Sequence, residues 1–307
     1  MKILVIKLGA LGDFVLAMAA MKKIREAHAG DRITLLTTPP FAGIAKASGW
    51  FDRIDTDGRP RGLIAQARML LRLRRERYDR VYDLQTSSRS SAYFHFLRPD
   101  PPQWSGIAKG CSHPHANPAR DSMHTLERQA DQLKFAGIWP DAPTEPGTAP
   151  APDLSFLAAE RPPAQLPYVM LIPGGSAHRL DKRWPAGRFA QLARELRDRG
   201  LEVCIIGGPQ ETPIAEEIAR VAGEVRDLTG KTSFADIAAL AGGAERVIGN
   251  DTGPLHLAAA ASARTIALFS DASDPALCAP RGNVRILRSP SLGELPVGVV
   301  LDAALAP

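Results

Sequence analysis

Cysteine is scarce in this chain. Cys111, Cys204 and Cys278 are its three, far apart in 307 residues, which fits neither a disulfide framework nor a zinc spacing. Cys204 falls inside an apolar run and reads as a small core side chain. No uninterrupted apolar stretch is long enough to span a bilayer, and the opening Met1–Ile6 run is too short for a secretory signal. The expectation is therefore a cytoplasmic protein, with peripheral contact with the cytoplasmic face of the inner membrane left open. Positive charge is in excess but scattered: the formal net charge is +5. With no finger, RNP-like or arginine-rich tail signature, this argues against nucleic acid and suits anionic substrates or an anionic membrane. Signatures of several chemistries are also missing. There is no three-glycine dinucleotide fingerprint, no Walker Lys-Ser/Thr end and no Gly-x-Ser-x-Gly elbow. Nor is there an Asp-x-Asp pair of the kind that holds a metal against a sugar diphosphate. His113 and His115 have no partner cluster, so no metal or other cofactor is expected.

What is present is an alternation of strand and helix patterns. Strands are expected at Lys2–Ile6, Arg32–Thr37 and Val81–Leu84, and helices at Phe14–Ala27, Phe41–Ser48, Gly62–Arg77 and Met123–Phe135. The pattern weakens from Arg98 to Asn117. Seven prolines then crowd Asp141–Pro167, a linker composition. Beyond it the alternation restarts. Strands are expected at Tyr168–Ile172, Glu202–Ile206, Arg226–Leu228, Arg246–Ile248 and Thr265–Phe269. Helices are expected at Gly187–Arg199, Pro213–Val221, Phe234–Ala241, Leu255–Ala261 and Val297–Leu305. Such alternation argues parallel α/β sheets. The expected organisation is a domain at 1–150, a proline-rich linker at 151–167 and a domain at 168–307, with a cleft between the domains.

The candidate functional residues stand where strand patterns end. In Arg246–His256, Val247-Ile248 breaks at Gly249, and Asn250, Asp251 and Thr252 lead into Gly253-Pro254 and a helix. A helix start offers unpaired N–H groups and the positive end of the dipole, which suits a phosphate. The plainer possibility is that Asp251 and Thr252 only cap a core helix. His256 lies one turn beyond Thr252, where an apolar residue would pack better. Gly174, Gly175 and Ser176 form a donor-rich turn, and Lys182 follows as a mobile charge for a diphosphate or as a solvated loop lysine. Glu211, after a strand in a glycine-proline loop, could accept ribose hydroxyls. Asp13 follows Gly12 at the first strand–helix junction, placed for proton acceptance or for capping. Arg68, Arg72 and Arg75 recur at helical spacing, with Arg59, Arg61 and Arg74 nearby and Leu63, Leu70 and Leu71 as the apolar face. A run like this usually forms a solvated face, and the alternative is an anion- or membrane-facing one. Arg89, after a predicted parallel strand, is a better substrate contact than the helix arginines.

Three motifs occur in order: K-I-L-V-I-K-L-G-A-L-G-D at the start, P-G-G-S…K-R-W-P over Pro173–Pro185, and G-N-D-T-G-P-L-H over Gly249–His256. In these the chain resembles glycosyltransferase family 9, the ADP-heptose:lipopolysaccharide heptosyltransferases. The resemblance implies a GT-B architecture, two Rossmann-like domains facing across a cleft, with the acceptor on the N-terminal side and the nucleotide sugar on the C-terminal side. It implies that Asp13 is the general base and that Lys182 contacts the donor phosphates. It places Glu211 at the ribose, and Asp251, Thr252, Gly253 and His256 in the donor loop. Arg89 matches an acceptor-side basic residue. After Leu268-Phe269 the chain departs from the family's glycine and proline with Ser270-Asp271-Ala272.

The implied reaction is inverting, metal-independent transfer of a heptose from ADP-heptose to the anionic inner core of lipopolysaccharide. The anionic acceptor would make sense of Arg59, Arg61 and their neighbours. The alternatives are transfer of another nucleotide sugar to another acceptor, or a binding protein that has lost turnover.

Overall fold

The computed structural model describes residues 1–158, 167–175 and 178–306, which divide into two compact units, Met1–Ala151 and Pro152–Pro307. The first unit runs β1 (Lys2–Ile6), α1 (Leu11–Ala27), β2 (Arg32–Leu36), α2 (Ala42–Ser48), β3 (Arg53–Asp55), α3 (Leu63–Glu76), β4 (Arg80–Asp83), α4 (Ser88–Phe96), β5 (Gln103–Gly106), β6 (His113–Pro114) and α5 (Thr125–Phe135). Its six strands lie in the order β3-β2-β1-β4-β5-β6, and every neighbouring pair is parallel.

The second unit runs β7 (Tyr168–Ile172), α6 (Ala186–Arg197), β8 (Glu202–Ile205), α7 (Thr212–Ala222), β9 (Arg226–Asp227), α8 (Phe234–Gly243), β10 (Arg246–Asn250), α9 (Gly253–Ala260), β11 (Thr265–Phe269), α10 (Pro275–Cys278), β12 (Val284–Arg288) and α11 (Val297–Leu305). Its sheet, also parallel throughout, has the order β12-β11-β10-β7-β8-β9. Counted from its own first strand, this is the doubly wound order of the first unit over again. Pro152–Ala158 belong to this unit. Leu154 is buried and its N–H donates to the Ala260 carbonyl at 2.8 Å, and the 3-10 turn Ser155–Ala158 lies against α8.

The strands are apolar because helices cover both sheet faces; β7 and β11 are buried at every residue. In the first unit Leu4, Ile6, Val81, Phe94 and Trp104 form one core layer. In the second, Trp184 packs edge-on to Phe189, with ring centroids 4.8 Å apart, over Leu171, Ile205 and Ile248. Gly249 is demanded by strand spacing. A Cβ there would stand 2.7 Å from Ile172 Cβ and 2.8 Å from the Ile172 carbonyl oxygen.

Some expectations need correction. The apolar side of α3 is Met69, Leu70 and Leu73; Leu63 and Leu71 are exposed. Within that helix Arg72 does not face solvent freely, because its guanidinium binds Asp55 and Asp57. Arg89 stands on a helix rather than in a loop, since Ser87 caps α4 through a reciprocal box with Ser90. The weakly patterned 98–117 stretch carries β5 and β6.

Candidate active site

In a doubly wound sheet, ligands bind where the chain turns from one flank to the other. In the first unit that point lies between β1 and β4, where Lys7 and Leu84 follow the two strands. Lys7 is buried and its ammonium donates to the Leu84 carbonyl at 3.1 Å. The Leu8 N–H donates to the Gln85 side-chain oxygen at 2.8 Å. Asp83, buried at the end of β4, accepts from the Gln85 and Thr86 N–H groups at 3.1 and 3.0 Å. This holds Thr86 in the left-handed region, at φ 42°, a conformation that a threonine adopts only when its surroundings enforce it. Burial pushes the Asp83 carboxyl up to about 6.

Asp13 lies in the first turn of α1 with its side chain exposed. It lines a cavity of about 240 Å³ together with Lys7, Gln85, Thr86, Arg120 and Arg128. One carboxylate thus shares the cavity lining with three cations, of which Arg120 is also paired with Asp121 outside the lining, at 2.5 Å. Burial lowers the Lys7 pKa to about 8, with the Asp13 charge pulling the other way and Arg128 adding to the fall. The segment that brings Arg120 is anchored by Asp131, which accepts from His115 Nε2 at 2.8 Å and from the Asn117 amide at 2.7 Å. His113 and His115 serve structure: His113 Nδ1 lies 2.9 Å from the Ser112 hydroxyl. Arg59, Arg61 and Arg89 are exposed and do not line this cavity, although Arg59 is near enough to act on Lys7 and Arg89 faces Tyr93. Arg120 and Arg128 were not legible in the sequence, one because it sits in an unpatterned loop, the other because it is a single charge on a helix.

In the second unit the corresponding point lies between β7 and β10. Asn250, fully buried at the end of β10, donates its amide to the carbonyls of Pro173 and Gly174 at 2.8 and 3.1 Å. Its oxygen accepts from the Trp184 N–H at 2.9 Å. One side chain therefore fixes the glycine turn after β7 and the entrance to α6. Glu211 is buried against the same turn. A Cβ on Gly174 would meet its Cγ at 2.7 Å, and its carboxylate accepts from the Gly208 N–H at 2.8 Å. Arg183 folds over the turn and donates to the Gly175 carbonyl. Ser176 lies outside the described residues.

Lys182 and Asp251 meet directly, at 2.8 Å. Ser273 joins them, donating to Asp251 at 2.7 Å and accepting from Lys182 at 3.0 Å, while His256 Nε2 stands 3.6 Å from the other carboxylate oxygen. Burial alone would raise the Asp251 carboxyl, but His256, Lys182 and Ser273 more than offset it and hold it well below the usual carboxylate range. The carboxylate is charged and already neutralised by an ammonium. Thr252 is the N-cap residue of α9, yet its hydroxyl makes no capping bond and is buried without a partner, so capping does not explain it. Ser273 was invisible in advance because it lies 22 residues from Asp251 in the chain. Among the described residues no group of three His, Cys, Asp or Glu could hold a metal ion. Against the expectation from sequence, the chain does hold one Asp-x-Asp spacing, Asp55-Thr56-Asp57, and Arg72 takes up both of its carboxylates.

A model of glycosyltransferase family 9 (heptosyltransferase) matches residues 67–296. The chain belongs to glycosyltransferase family 9. Within curated members of that family, it is 35% identical over 97 residues to a lipooligosaccharide heptosyltransferase 2 of Haemophilus influenzae, covering 30% of this chain and 28% of the relative. The chain therefore aligns with less than a third of that relative's length. Solved structures align further. An Escherichia coli ADP-heptose lipopolysaccharide heptosyltransferase II superposes with a TM-score of 0.80 at 21% identity, over 99% of this chain and 97% of that one. The E. coli heptosyltransferase WaaC with ADP does so with a TM-score of 0.78 at 23% identity, over 98% of each. At these identities they show the fold: two Rossmann-like units of the GT-B architecture.

Two predictions follow from the charges. As pH falls, the unfolded chain protonates Lys7 before the folded one does, because the folded pKa is about 8 against an ordinary 10.5. Stability is lost across that window, and the full cost is carried at pH 7. Lys7→Met should therefore raise stability at pH 7 by roughly 1–3 kcal/mol, and the gain should shrink as pH rises past 8; thermal melts across that range test it, and a lower melting temperature at pH 7 would show the Leu84 tie to be worth more than the burial costs. Lys182→Ala strips Asp251 of its counter-charge, so it should weaken ADP binding by roughly 1.5–3 kcal/mol and lower the melting temperature as well. Calorimetric titration with ADP on a variant of known stability checks both, and parental affinity would remove Lys182 from the donor site.

Proposed function

We propose that the chain is an inverting heptosyltransferase that moves a heptose from ADP-heptose to an anionic, lipid-linked inner-core acceptor without a metal ion. The observation that carries this is the cavity at the first switch point, where Asp13 is the one carboxylate among Lys7, Arg120 and Arg128. Cations there bind an anionic acceptor, and the carboxylate among them is placed to accept a proton. Arg59 and Arg61 extend the positive surface for the same substrate.

The donor belongs to the second unit. Lys182 gives two of its three N–H donors to Asp251 and Ser273, leaving one for a phosphate oxygen. The start of α9 at Gly253 adds backbone N–H and the helix dipole. Glu211 lies against the glycine turn, placed for ribose hydroxyls, and Asp251 presents an ionised oxygen to the sugar. A related E. coli heptosyltransferase structure carries ADP, which supports an adenine nucleotide as the donor's leaving group. In the reaction the acceptor hydroxyl attacks the anomeric carbon and gives its proton to Asp13. The bond from that carbon to the diphosphate oxygen breaks, and ADP leaves with the electron pair. The leaving charge is met by Lys182 and the α9 N-terminus, as fixed donors that need no reorganisation.

Chelator should leave turnover of ADP-heptose nearly intact, and a large loss restored by magnesium or manganese would reopen metal-dependent transfer. Asp13→Asn should lower turnover by roughly 10²–10⁴-fold with ADP affinity and melting temperature close to parental, since the Asp13 side chain is exposed and the N-cap of α1 is Ala10, so that, against the capping alternative, no cap is lost. Near-parental turnover would take Asp13 out of the mechanism.

A further inference from the structure

Leu63 and Ile64 are 84% and 71% exposed, the two barest large hydrophobic side chains among the described residues. They open α3, and the helix does not bury them later. Residues four, seven and eleven positions beyond Ile64 return to its side of a helix within about 40°. These are Arg68, Leu71 and Arg75, all exposed, with Leu71 at 45%. The opposite side, Met69, Leu70 and Leu73, is buried in the unit's core. The outer stripe therefore alternates apolar and cationic side chains over about 16 Å, and no acidic residue stands between Asp57 and Glu76 to temper it.

The place of this stripe is set by topology. The loop before α3 is fastened to the C-terminal rim of the first sheet, where the Gly58 N–H donates to the Thr37 carbonyl at 2.9 Å and the Gly58 carbonyl accepts from the Tyr93 hydroxyl at 2.8 Å. The cavity that holds Asp13 opens on that same rim, built from residues after β1 and β4.

We propose that the Leu63–Ile64 end of α3, with its Arg68–Leu71–Arg75 stripe, is a docking element for an anionic lipid bilayer. Two exposed aliphatics enter the acyl boundary and the arginines meet lipid phosphates. Neither feature alone gives stable membrane association, and the pair supplies both of the signals it needs. A second copy of the chain is a poor occupant, because a two-fold contact through the stripe would set arginines against arginines. The inference draws its purpose from a lipid-linked acceptor, but its test does not use turnover.

The full chain is sedimented with sucrose-loaded vesicles of phosphatidylcholine alone or mixed with phosphatidylglycerol, and ADP affinity and melting temperature are measured on each preparation. The parent should pellet with the mixed vesicles and stay in solution with the neutral ones. Leu63→Gln with Ile64→Gln should lower partitioning at least about tenfold with melting temperature and ADP affinity unchanged. Arg68→Gln with Arg75→Gln should lower it and flatten its dependence on salt. A parent that ignores anionic vesicles, or a glutamine pair that binds as the parent does, would overturn the proposal. So would a glutamine pair that turns a dimer into a monomer without vesicles, which would assign the stripe to a second copy. Failure to bind ADP, with vesicle binding intact, would count against the donor assignment alone.

Discussion

A parallel strand at the middle of a doubly wound sheet ends beside a neighbour whose loop leaves in the opposite direction, and the carbonyls at that parting have no ladder partner. Buried without one, each would cost a substantial part of a hydrogen bond's desolvation. Both units solve this with one buried polar side chain. Lys7 donates to the carbonyl after β4, and Asn250 donates to two carbonyls after β7. The loops on either side of each crevice are tied together at these bonds, and the site residues lie beside them.

The two solutions differ in charge, and the chemistry differs with them. Asn250 is neutral, so the glycine turn after β7 is shaped without adding to its field, and Lys182 and Asp251 balance each other. Lys7 is an ammonium kept away from water, and Arg120 and Arg128 line the cavity with it, Asp13 being the one carboxylate in that lining while Asp121 pairs with Arg120 from outside. The second arrangement has positive charge left over for an anionic ligand, and the first does not.

The fold was legible because its signals are local. Aliphatic runs such as Tyr168–Ile172 and Thr265–Phe269 declare buried parallel strands, and both match the structure residue for residue. β3, with three residues, and β12, an edge strand in which two of the five residues, Arg285 and Arg288, are charged, carry too little pattern. In the site, residues on or beside a strand end could be picked out as candidates, Lys182 and Asp251 among them. Their pairing could not, since 69 residues separate them. Arg72 shows the same limit from the other side: helical spacing made it one of a basic row, and only the fold brings Asp55 and Asp57 to it.

The ion pair between Lys182 and Asp251 also bears on how such an enzyme is blocked. A phosphate mimic brought to that site competes with a carboxylate already seated there, so its charge gains less than it would from a free lysine. A neutral adenosine-like molecule, shaped to the Gly174 turn and Glu211, forfeits correspondingly little. At the Asp13 cavity the lining is positive on balance, and a compound without negative charge leaves that excess unanswered. Inhibitors aimed at the two sites, one in each unit, therefore fall into different chemical series from the outset.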